Sequence, residues 1–593
     1  MAKSLNRVRA LMLGAGFLAM TACASNPPTR TAAPPPPSTE VRIIAFNDFH
    51  GNLLPPGIDI EAPLPDGGSV RIPAGGAAWF ADAIRKAKAE GPNTLVVSAG
   101  DMVGASPLTS GLFLDEPTIE VMNSIGIDFN AVGNHEFDRG SKELKRLAQG
   151  GCEKNGTREP CQLSPNFPGA KFEFLAANSV NPDGSTLFPA VGIRTIGTGA
   201  AAVKIGFIGL TLKGTAQIVS SAGLAGVHFT PEAETINALI PGLKAQGVNT
   251  IVVLLHEGGV TTSKPLEACA GLSGPIVPIL QALDPAVDLV VSGHTHRAYI
   301  CEVGGAPGRA PVLLTSAGKY GTLLTDIRLK IDPSSGDVVS HSARQVVVQS
   351  IGFASSSGRV EPTDAYPRFA ADTDVQAIVS RYENASAALV SRVVGKMTAP
   401  AVRQPAASGE SVMGNLVADA QLAATSAPGR GGAVIALINP GGVRADLVPA
   451  ADGGITYGQL FASQPFANDL VTMSLTGAEL KAVLEQQFGD GKLPHVMSTS
   501  ASLRYIYDMR RPAGERTSAI RVNGKPLELA ATYRVTVNNF LAGGGDGFSS
   551  FRAGKDARVG GRDVEALEAY LGKGKPVAPP TADRVTRLDR PAG

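Results

Sequence analysis

The sequence has almost no net charge. Its 593 residues contain 53 lysines and arginines against 52 aspartates and glutamates, which leaves a formal net charge of +1. Proteins that bind nucleic acid need a basic surface that neutralises phosphates. The composition therefore gives no electrostatic reason to expect nucleic acid as a partner. The hydrophobic content of 44% is ordinary for a globular chain, and the 69 glycines and 43 prolines indicate many loops.

The N-terminal segment lacks an apolar run long enough to span a membrane. Residues 10–20 are apolar, but this run is shorter than the roughly 20 residues that a spanning helix needs. Lys3, Arg7 and Arg9 precede the run, and small residues follow it. A basic start, a short apolar core and small residues are typical of a secretory signal. We therefore predict a signal peptide at residues 1–22 and an exported protein of the periplasm or cell envelope.

The end of this signal resembles a bacterial lipobox. The sequence Met20-Thr21-Ala22-Cys23 would make Cys23 the lipidated first residue of the mature protein, although Met20 stands where leucine is usual. Several acyl chains on one residue would hold the protein at a membrane surface. Residues 23–40, with Pro34-Pro35-Pro36-Pro37, are predicted to be an extended tether. Ala24 is compatible with sorting to the outer membrane, and plain cleavage without a lipid is the alternative.

Cysteine is scarce, and no C-x-x-C spacing occurs. Four cysteines follow Cys23, namely Cys152, Cys161, Cys269 and Cys301. An even number behind a secretory signal favours disulfides. The short loop between Cys152 and Cys161 predicts that these two pair, which leaves Cys269 with Cys301. A zinc site made of the four cysteines is the alternative.

Two familiar catalytic motifs are also missing. The Gly441-Gly442 and Gly543-Gly544-Gly545 stretches lack the lysine and the following Ser or Thr of a P-loop. Gly104-Ala105-Ser106-Pro107 lacks the second glycine of the nucleophile elbow of hydrolases. A nucleotide-driven motor and a serine hydrolase of that type are therefore not indicated.

Short β-branched runs alternate with helical stretches in the first half of the chain. We predict strands at 41–46, 94–98, 129–132, 172–176, 203–210, 250–255, 288–291 and 312–315. Helices are predicted between them at 75–89, 116–125, 141–148 and 231–245. Such alternation is typical of a layered α/β architecture around a central sheet.

A second unit follows a polar segment. Residues 332–365 are rich in serine and glycine, and residues 374–394 have the pattern of one long helix. Strands are predicted beyond it at 434–438, 470–475 and 532–537. We therefore predict two domains, at 41–365 and 396–593, joined by a helical linker at 366–395.

Potential metal ligands follow five of the predicted strands. They lie in Asn47-Asp48-Phe49-His50, Gly100-Asp101, Gly133-Asn134-His135-Glu136-Phe137-Asp138, His256-Glu257 and Gly293-His294-Thr295-His296. Five of the eight histidines lie in these segments. Because the carboxyl ends of strands meet at one edge of an α/β sheet, we expect the side chains to lie together. Mixed Asp, Asn and His ligands suit divalent ions such as Zn²⁺ or Mn²⁺, and the number of ligands is enough for two.

These motifs together resemble the calcineurin-like metallophosphoesterase signature, and the second unit resembles that of the secreted 5′-nucleotidase family. This family includes the periplasmic UDP-sugar hydrolases. The resemblance covers nearly the whole mature chain. It implies a four-layer αββα sandwich, a smaller α+β domain that binds substrate, and two divalent cations (Zn, Mn or Co). In the family the domains rotate against each other, with the linker helix as the hinge.

The resemblance also implies roles for the residues of the first domain. Asp48, His50 and His296 would bind the first metal, Asn134, His256 and His294 the second, and Asp101 would bridge them. Family members often carry Gln or Asn at the position of His296. His135 would stabilise the transferred phosphoryl group or protonate the leaving oxygen, with Asp138 orienting its ring. Spacing alone leaves open that His135 is instead a third ligand.

The second domain is expected to recognise the nucleotide. Asn439-Pro440-Gly441-Gly442-Val443-Arg444 resembles a loop of the family that contacts phosphate or ribose, and Arg403 matches another phosphate-binding arginine. Phe540 and Phe466 would clamp the base between their rings, and Asp546 would accept hydrogen bonds from the ribose. Ordinary core packing is the alternative for each phenylalanine.

The sequence thus predicts a metal-dependent hydrolase of nucleoside 5′-monophosphates, with nucleotide diphosphate derivatives such as UDP-sugars as further substrates. A 2′,3′-cyclic-nucleotide phosphodiesterase with 3′-nucleotidase activity is the first alternative, because such relatives share nearly all the metal ligands. NAD is a further diphosphate substrate to consider. A surface protein that binds nucleotides without turnover is the second alternative.

Overall fold

The computed structural model describes residues 38–156, 158–219, 221–262, 266–304, 311–355, 358–466, 468–489 and 495–589. The predicted signal peptide and Cys23 lie outside these residues. The predicted tether is too long by two residues, because Thr39 already begins the first strand. No helix within the described part of the chain combines the length and the apolar character that crossing a bilayer requires.

Two six-stranded sheets form the centre of the first domain. The first sheet has the spatial order Val338–Val347, Leu323–Ile331, Thr39–Phe46, Thr94–Ser98, Phe129–Ala131, Glu173–Leu175. The second has the order Ala298–Val303, Val312–Ala317, Leu289–Ser292, Thr250–His256, Val203–Thr211, Val191–Ile196. Four neighbouring strands in each sheet are parallel, and antiparallel strands complete the edges. The parallel strands are almost wholly buried, which explains their continuous apolar runs.

Helices cover the outer face of each sheet. Ala77–Ala89, Glu116–Ile125 and Ser141–Gln149 pack on the first sheet, and Glu232–Ala245 and Ile276–Ala282 pack on the second. In the first of these helices the buried side chains of Ala77, Phe80, Ala81 and Ile84 form one apolar face. The two sheets share a core that includes Val97 and Leu254. The predicted four-layer sandwich is therefore confirmed.

Shorter elements complete the first domain. They are the strand pairs Ile58–Pro63 with Ser69–Ala74, Ser179–Val180 with His228–Phe229 and Phe353–Ser355 with Gly358–Val360, the helices Leu108–Gly111, Thr215–Ile218 and Ser221–Leu224, and the 3₁₀ turns His135–Phe137 and Gly199–Ala201. The structure forms the predicted disulfides Cys152–Cys161 and Cys269–Cys301. The alternative of a four-cysteine zinc site is therefore wrong.

The segment between the domains differs from the prediction. Part of the polar segment 332–365 is the edge strand Val338–Val347, in which exposed residues alternate with half-buried ones, and the polar residues Ser340, Ser342 and Arg344 are exposed. The linker helix runs over Thr373–Val390 and ends four residues before the predicted 394, because residues Val393–Lys396 form a strand. The Asp372 side chain caps its start by accepting from the Val375 N–H at 3.0 Å. The helix packs against three helices of the first domain and against Tyr457–Ser463 of the second.

The second domain is a smaller α+β unit, as predicted. Its five-stranded sheet has the order Ser498–Thr499, Ile435–Ile438, Thr532–Asn538, Asp469–Thr476, Lys555–Arg562, and its four-stranded sheet the order Lys525–Pro526, Thr517–Val522, Leu503–Tyr507, Val585–Arg587. Val393–Lys396 pairs with Gly454–Thr456. The helices are Val412–Thr425, Tyr457–Ser463, Gly477–Gln486, Asn539–Ala542 and Asp563–Leu571, with 3₁₀ turns at Pro428–Arg430, Pro440–Gly442, Gly545–Gly547 and Ser549–Ala553.

Candidate active site

The predicted metal ligands meet at the carboxyl edge of the two sheets. Each lies at the end of a buried strand or directly after it, as the sequence pattern predicts. Five of them have left-handed backbones, with φ of 50° at Asp48, 49° at His50, 51° at Asp101, 68° at His294 and 56° at His296. Such conformations are strained for residues other than glycine and concentrate at functional sites. The tightly packed loops hold these side chains towards one point.

Asp48, His50 and His296 form the first cluster. The His296 Nε2 atom lies 3.2 Å from Asp48 Oδ1 and 3.1 Å from His50 Nε2. Asp48 Oδ1 is buried and accepts no hydrogen bond from any described residue. Leaving a buried carboxylate oxygen without a donor is costly, and two facing ring nitrogens also need a proton or a cation between them. This donor set therefore fits a metal ion.

Asp101, His256 and His294 form the second cluster, together with the amide of Asn134. Asp101 Oδ2 lies 3.0 Å from His256 Nε2. The Asn134 Oδ1 atom lies 3.1 Å from His256 Nε2 and 3.0 Å from His294 Nδ1. Asp101 Oδ2 is also 3.6 Å from His50 Nε2 of the first cluster. Asp101 thus stands between the clusters, where a bridging carboxylate would have to lie.

Backbone carbonyls orient two of the histidines. His256 Nδ1 lies 2.7 Å from the Ala99 carbonyl oxygen, and His50 Nδ1 lies 2.9 Å from that of Gly104. These contacts place the ring proton on Nδ1 and leave the Nε2 lone pair directed into the site. The histidines are therefore held in the tautomer that can bind a metal.

His135 and Asp138 form a pair beside the clusters. His135 Nδ1 lies 3.0 Å from both carboxylate oxygens of Asp138, and Asp138 Oδ2 accepts from the Ala105 N–H at 2.9 Å. Burial lowers the pKa of His135, but the charges of Asp138 and Asp101 outweigh this effect and leave that pKa above its ordinary value. Neither cluster of close-packed ligand atoms includes His135. Its position fits a proton donor better than a third ligand.

A cavity of about 320 Å³ joins these residues to the second domain, and we call it the nucleoside cavity after the ligand that the sequence resemblance leads us to expect. From the first domain Asn134, His135, Asp138 and His294 line it, and from the second domain Asn439, Arg444, Phe466, Phe540 and Asp546. The predicted catalytic residues and most of the predicted substrate residues therefore face one space. This arrangement gives a metal centre a binding pocket that the other domain supplies.

Hydrogen bonds order the floor of the nucleoside cavity. The Asn439 Nδ2 atom donates to Asp546 Oδ2 at 2.6 Å, and its Oδ1 atom accepts from Asn538 at 3.3 Å. Burial raises the pKa of Asp546, although the Asn439 bond opposes that shift. A Cβ atom at Gly545 would lie 2.4 Å from the Phe540 ring, so only glycine lets this ring approach the loop. The glycine-rich loop thereby sets the position of Phe540.

Arg403 lies outside the nucleoside cavity. It lines a neighbouring cavity of about 520 Å³ together with Lys319 and Tyr320, and Arg444 lines both cavities. The Arg403 side chain donates to the Arg444 carbonyl oxygen at 3.0 Å. Burial and the charges of Arg403 and Arg444 lower the pKa of Lys319 to about 8. We call this second space the cationic cavity.

Two regions of the sequence match described protein families. Residues 41–298 match the calcineurin-like phosphoesterases, and residues 393–553 match the 5′-nucleotidase C-terminal domain. The chain belongs to the calcineurin-like phosphoesterases that carry a 5′-nucleotidase C-terminal domain. The family matches indicate that it is a metal-dependent phosphoric monoester hydrolase.

Relatives and a solved structure align with most of the chain. A probable 5′-nucleotidase of Treponema pallidum is 28% identical over 595 residues, which cover 90% of this chain and 91% of that protein. An endonuclease of Bacillus subtilis is 30% identical over 90% of this chain, but the chain spans only 39% of its length. The crystal structure of a 5′-nucleotidase precursor from Thermus thermophilus superposes with a TM-score of 0.72 at 27% identity and covers 93% of this chain and 100% of that one.

Several residues that line the two cavities, or support the metal centre of this phosphoesterase, were not predicted. Glu136 accepts from the N–H groups of Asp101 at 2.9 Å, Met102 at 2.8 Å and Gly133 at 2.7 Å, and so fixes two loops that carry ligands. Its position inside the Asn134-His135-Glu136 motif could have revealed it. Lys319 and Tyr320 follow the strand Val312–Ala317, which carries no predicted ligand, and no motif of the sequence marks them. The left-handed φ of 59° at Tyr320 is visible only in the structure. Asn468 and His495 also line the nucleoside cavity.

Proposed function

We propose that this phosphoesterase hydrolyses nucleoside 5′-monophosphates to nucleoside and phosphate. The observation that carries the proposal is the nucleoside cavity itself. His135 and two of the predicted metal ligands, Asn134 and His294, line it from one domain, and Phe540 and Asp546 line it from the other. A nucleotide has a phosphate and a base separated by a ribose, and the cavity offers a matching group to each.

The phosphate end would be held by the metal clusters and by Arg444. Asp48, His50 and His296, and Asn134, His256 and His294, would hold two divalent cations (Zn, Mn or Co) bridged by Asp101. When bound at these ligands, two such cations would supply a water molecule of lowered pKa and positive charge that neutralises the phosphoryl oxygens. Arg444 offers a planar guanidinium that suits phosphate. His135 would then donate a proton to the leaving 5′ oxygen while Asp138 holds its ring.

The nucleoside end would be held by the second domain. Phe540 and Phe466 line the same cavity and would stack on the two faces of the base, which is worth about 1–3 kcal/mol per base. Asp546 would accept from the ribose hydroxyls, because its carboxylate is fixed by Asn439 at the floor.

A nucleotide diphosphate derivative, such as a UDP-sugar or NAD, is the second candidate substrate. The cationic cavity favours it, because Arg403, Lys319 and Arg444 would accommodate a second phosphate beyond the metal clusters. A 2′,3′-cyclic nucleotide would use the same ligands, and no contact described above favours it over a 5′-monophosphate.

The test is phosphate release by purified residues 24–593 from AMP, UDP-glucose, NAD and 2′,3′-cyclic AMP, with the nucleotide products identified by chromatography. Each substrate is run with EDTA and then with Mn²⁺, Zn²⁺ or Co²⁺ restored. We expect metal-dependent conversion of AMP to adenosine. If only the cyclic nucleotide is hydrolysed, the proposed substrate class is wrong. If nucleotides bind but none is hydrolysed with any of the metals, the protein is a nucleotide-binding protein and not an enzyme.

We also propose that the protein is exported and anchored to the outer membrane through a lipid on Cys23. The lipobox resemblance supports the anchor, and the two disulfides fit an oxidising compartment. Cys23→Ser should move the protein from the membrane fraction to the soluble periplasmic fraction. If Cys23→Ser remains in the membrane fraction to the same extent as the unmodified protein, Cys23 does not carry the anchor.

A further inference from the structure

A third cavity lies at the contact between the two domains. It encloses about 190 Å³ and is lined by Arg139, Glu143 and Arg158 of the first domain and by Phe466 and Arg562 of the second. We call it the boundary cavity. Of these five residues only Phe466 also lines the nucleoside cavity. The boundary cavity is therefore a separate space that shares one aromatic ring with the proposed substrate site.

Two acidic side chains of the first domain lie near the boundary cavity, Glu143 and Asp115, and both have basic partners within that domain. The carboxylate of Glu143 accepts from Arg146 at 2.7 Å and from the Asn155 Nδ2 atom at 3.0 Å. Asp115 is fully buried and forms an ion pair with Arg139. Glu143 therefore neutralises the charge of Arg146, and Asp115 neutralises that of Arg139. Neither carboxylate forms an ion pair with Arg158.

Arg158 reaches the domain boundary from the loop that the Cys152–Cys161 disulfide closes. Its guanidinium donates to the Gly111 carbonyl oxygen and lies 5.3 Å from the centre of the Phe461 ring of the second domain. No carboxylate among the described residues forms an ion pair with it. Burial and the charges of Arg139 and Arg562 lower the pKa of Arg158 to about 10. Like charges from both domains thus face one small space.

Guanidinium groups bind tetrahedral oxyanions through paired hydrogen bonds and give up their hydration more readily than ammonium groups. We propose that the boundary cavity binds an oxyanion of the phosphate or sulfate class between Arg158 and Arg562, and that the bound anion stabilises the contact between the two domains. The anion would offset the repulsion between cations of different domains. This proposal goes beyond the proposed function. The oxyanion would bind in the boundary cavity whichever phosphate ester the metal centre hydrolyses.

Sulfate is the probe for this site, because it resembles phosphate and is not a product of the enzyme. Binding of radiolabelled sulfate is measured by equilibrium dialysis on the metal-free full-length protein and on two variants, Arg158→Gln and Arg444→Gln. The second variant removes the anion-binding arginine of the nucleoside cavity and serves as the matched control. Circular dichroism verifies that each variant is folded.

We expect Arg158→Gln to bind sulfate about tenfold more weakly, which is the effect of losing a hydrogen bond to a charged group. Arg444→Gln should keep the boundary site. If Arg158→Gln binds sulfate like the unmodified protein, or if Arg444→Gln abolishes all saturable binding, the boundary site does not exist.

Small-angle X-ray scattering tests the effect on the domains. Sulfate should lower the radius of gyration of the unmodified protein, compared with sodium chloride of equal ionic strength, and should leave that of Arg158→Gln unchanged. An unchanged scattering profile in the unmodified protein with sulfate bound would overturn the proposed stabilisation of the domain contact.

Discussion

The imidazole of His135 stacks on the ring of Phe466, with 5.5 Å between the ring centres and 11° between the planes. The two residues belong to different domains. One follows the strand Phe129–Ala131 in the first domain, and the other follows the helix Tyr457–Ser463 in the second. The proposed proton donor and one side of the proposed base clamp therefore support each other directly across the domain boundary.

This stacking separates the expected effects of two phenylalanine variants. Phe540→Ala should raise KM for AMP roughly tenfold, because base stacking is lost, and should leave hydrolysis of p-nitrophenyl phosphate unaffected. Phe466→Ala should raise KM for AMP similarly and should also lower kcat for AMP, because His135 loses its support, whereas kcat for p-nitrophenyl phosphate, whose leaving group needs little protonation, should change much less. Steady-state kinetics on both substrates measures the difference. If Phe540→Ala loses the same activity on AMP and on p-nitrophenyl phosphate, Phe540 contributes to core packing and does not stack on the base.

Asp101→Asn should remove the bridge between the two ligand clusters. We expect bound metal to fall from two ions to one or fewer, and kcat to fall by more than the roughly 10- to 100-fold that changes outside the ligand shell produce. Metal content is measured by mass spectrometry after dialysis. Asp364→Asn is the matched control, because the Asp364 side chain is 92% exposed and lies away from the ligand clusters. Two retained metals with full activity in Asp101→Asn would disprove the bridging role.

Asp138→Asn should leave metal binding intact and lower kcat for AMP by about 10²- to 10⁴-fold, the usual range for acid–base catalysis. The His135 ring would lose the carboxylate that holds Nδ1. A substrate whose leaving group needs little protonation, such as p-nitrophenyl phosphate, should lose much less activity. An identical loss for both substrates would indicate that Asp138 only maintains the local structure.

Acid stability should depend on Asp326, which lies far from the metal ligands. Two arginines surround this buried carboxylate, and Arg42 Nε donates to Oδ1 at 2.7 Å. Burial alone would raise the pKa of Asp326, but Arg42 and Arg344 outweigh burial and lower it. A carboxylate with a lowered pKa stabilises the fold above its unfolded-state pKa, and this contribution is lost as the pH falls through the folded-state value.

Asp326→Asn should therefore destabilise the metal-free protein by about 2 kcal/mol at neutral pH, since the buried Arg42 loses its charged hydrogen bonds to Asp326 and keeps only the ion pair with Glu90 at 2.7 Å among the described carboxylates. The difference from the unmodified protein should shrink as the pH falls below 4. Urea unfolding at a series of pH values measures it. A difference that does not change with pH would mean that the Asp326 charge does not contribute.

The sequence predicted that the candidate ligand side chains lie together, because their position follows from topology. Asp48, Asp101, Asn134 and His256 each come at the end of an apolar strand, and parallel strands end at one edge. The grouping of Phe540 and Asp546 with His135 has a different source. Their separation along the chain is about 400 residues, no periodicity connects them, and only the resemblance to a family predicted that they face each other.

Other features depend on packing that a local pattern does not express. The edge strand Val338–Val347 was missed because Ser340, His341, Ser342, Arg344 and Gln345 make its centre as polar as a loop, although valines lie at both of its ends. Arg403 was assigned to the nucleotide phosphate, but its position in the cationic cavity depends on how the two domains contact each other. The same holds for Arg158 and Arg562, which are separated by roughly 400 residues of sequence and meet only at the domain boundary.

The linker helix restricts how the two domains can move. Its buried residues Val375, Val379 and Tyr382 pack against the first domain. Two residues, Ser391 and Arg392, connect the end of the helix to the strand Val393–Lys396 in the second domain. A joint of two residues permits turning about a nearly fixed point and permits little translation. Groups far from this point travel along an arc, so the proposed base-binding rings and the metal ligands would approach or separate together. Substrate entry and product exit would then share one swinging motion, whose frequency would set the upper limit of turnover.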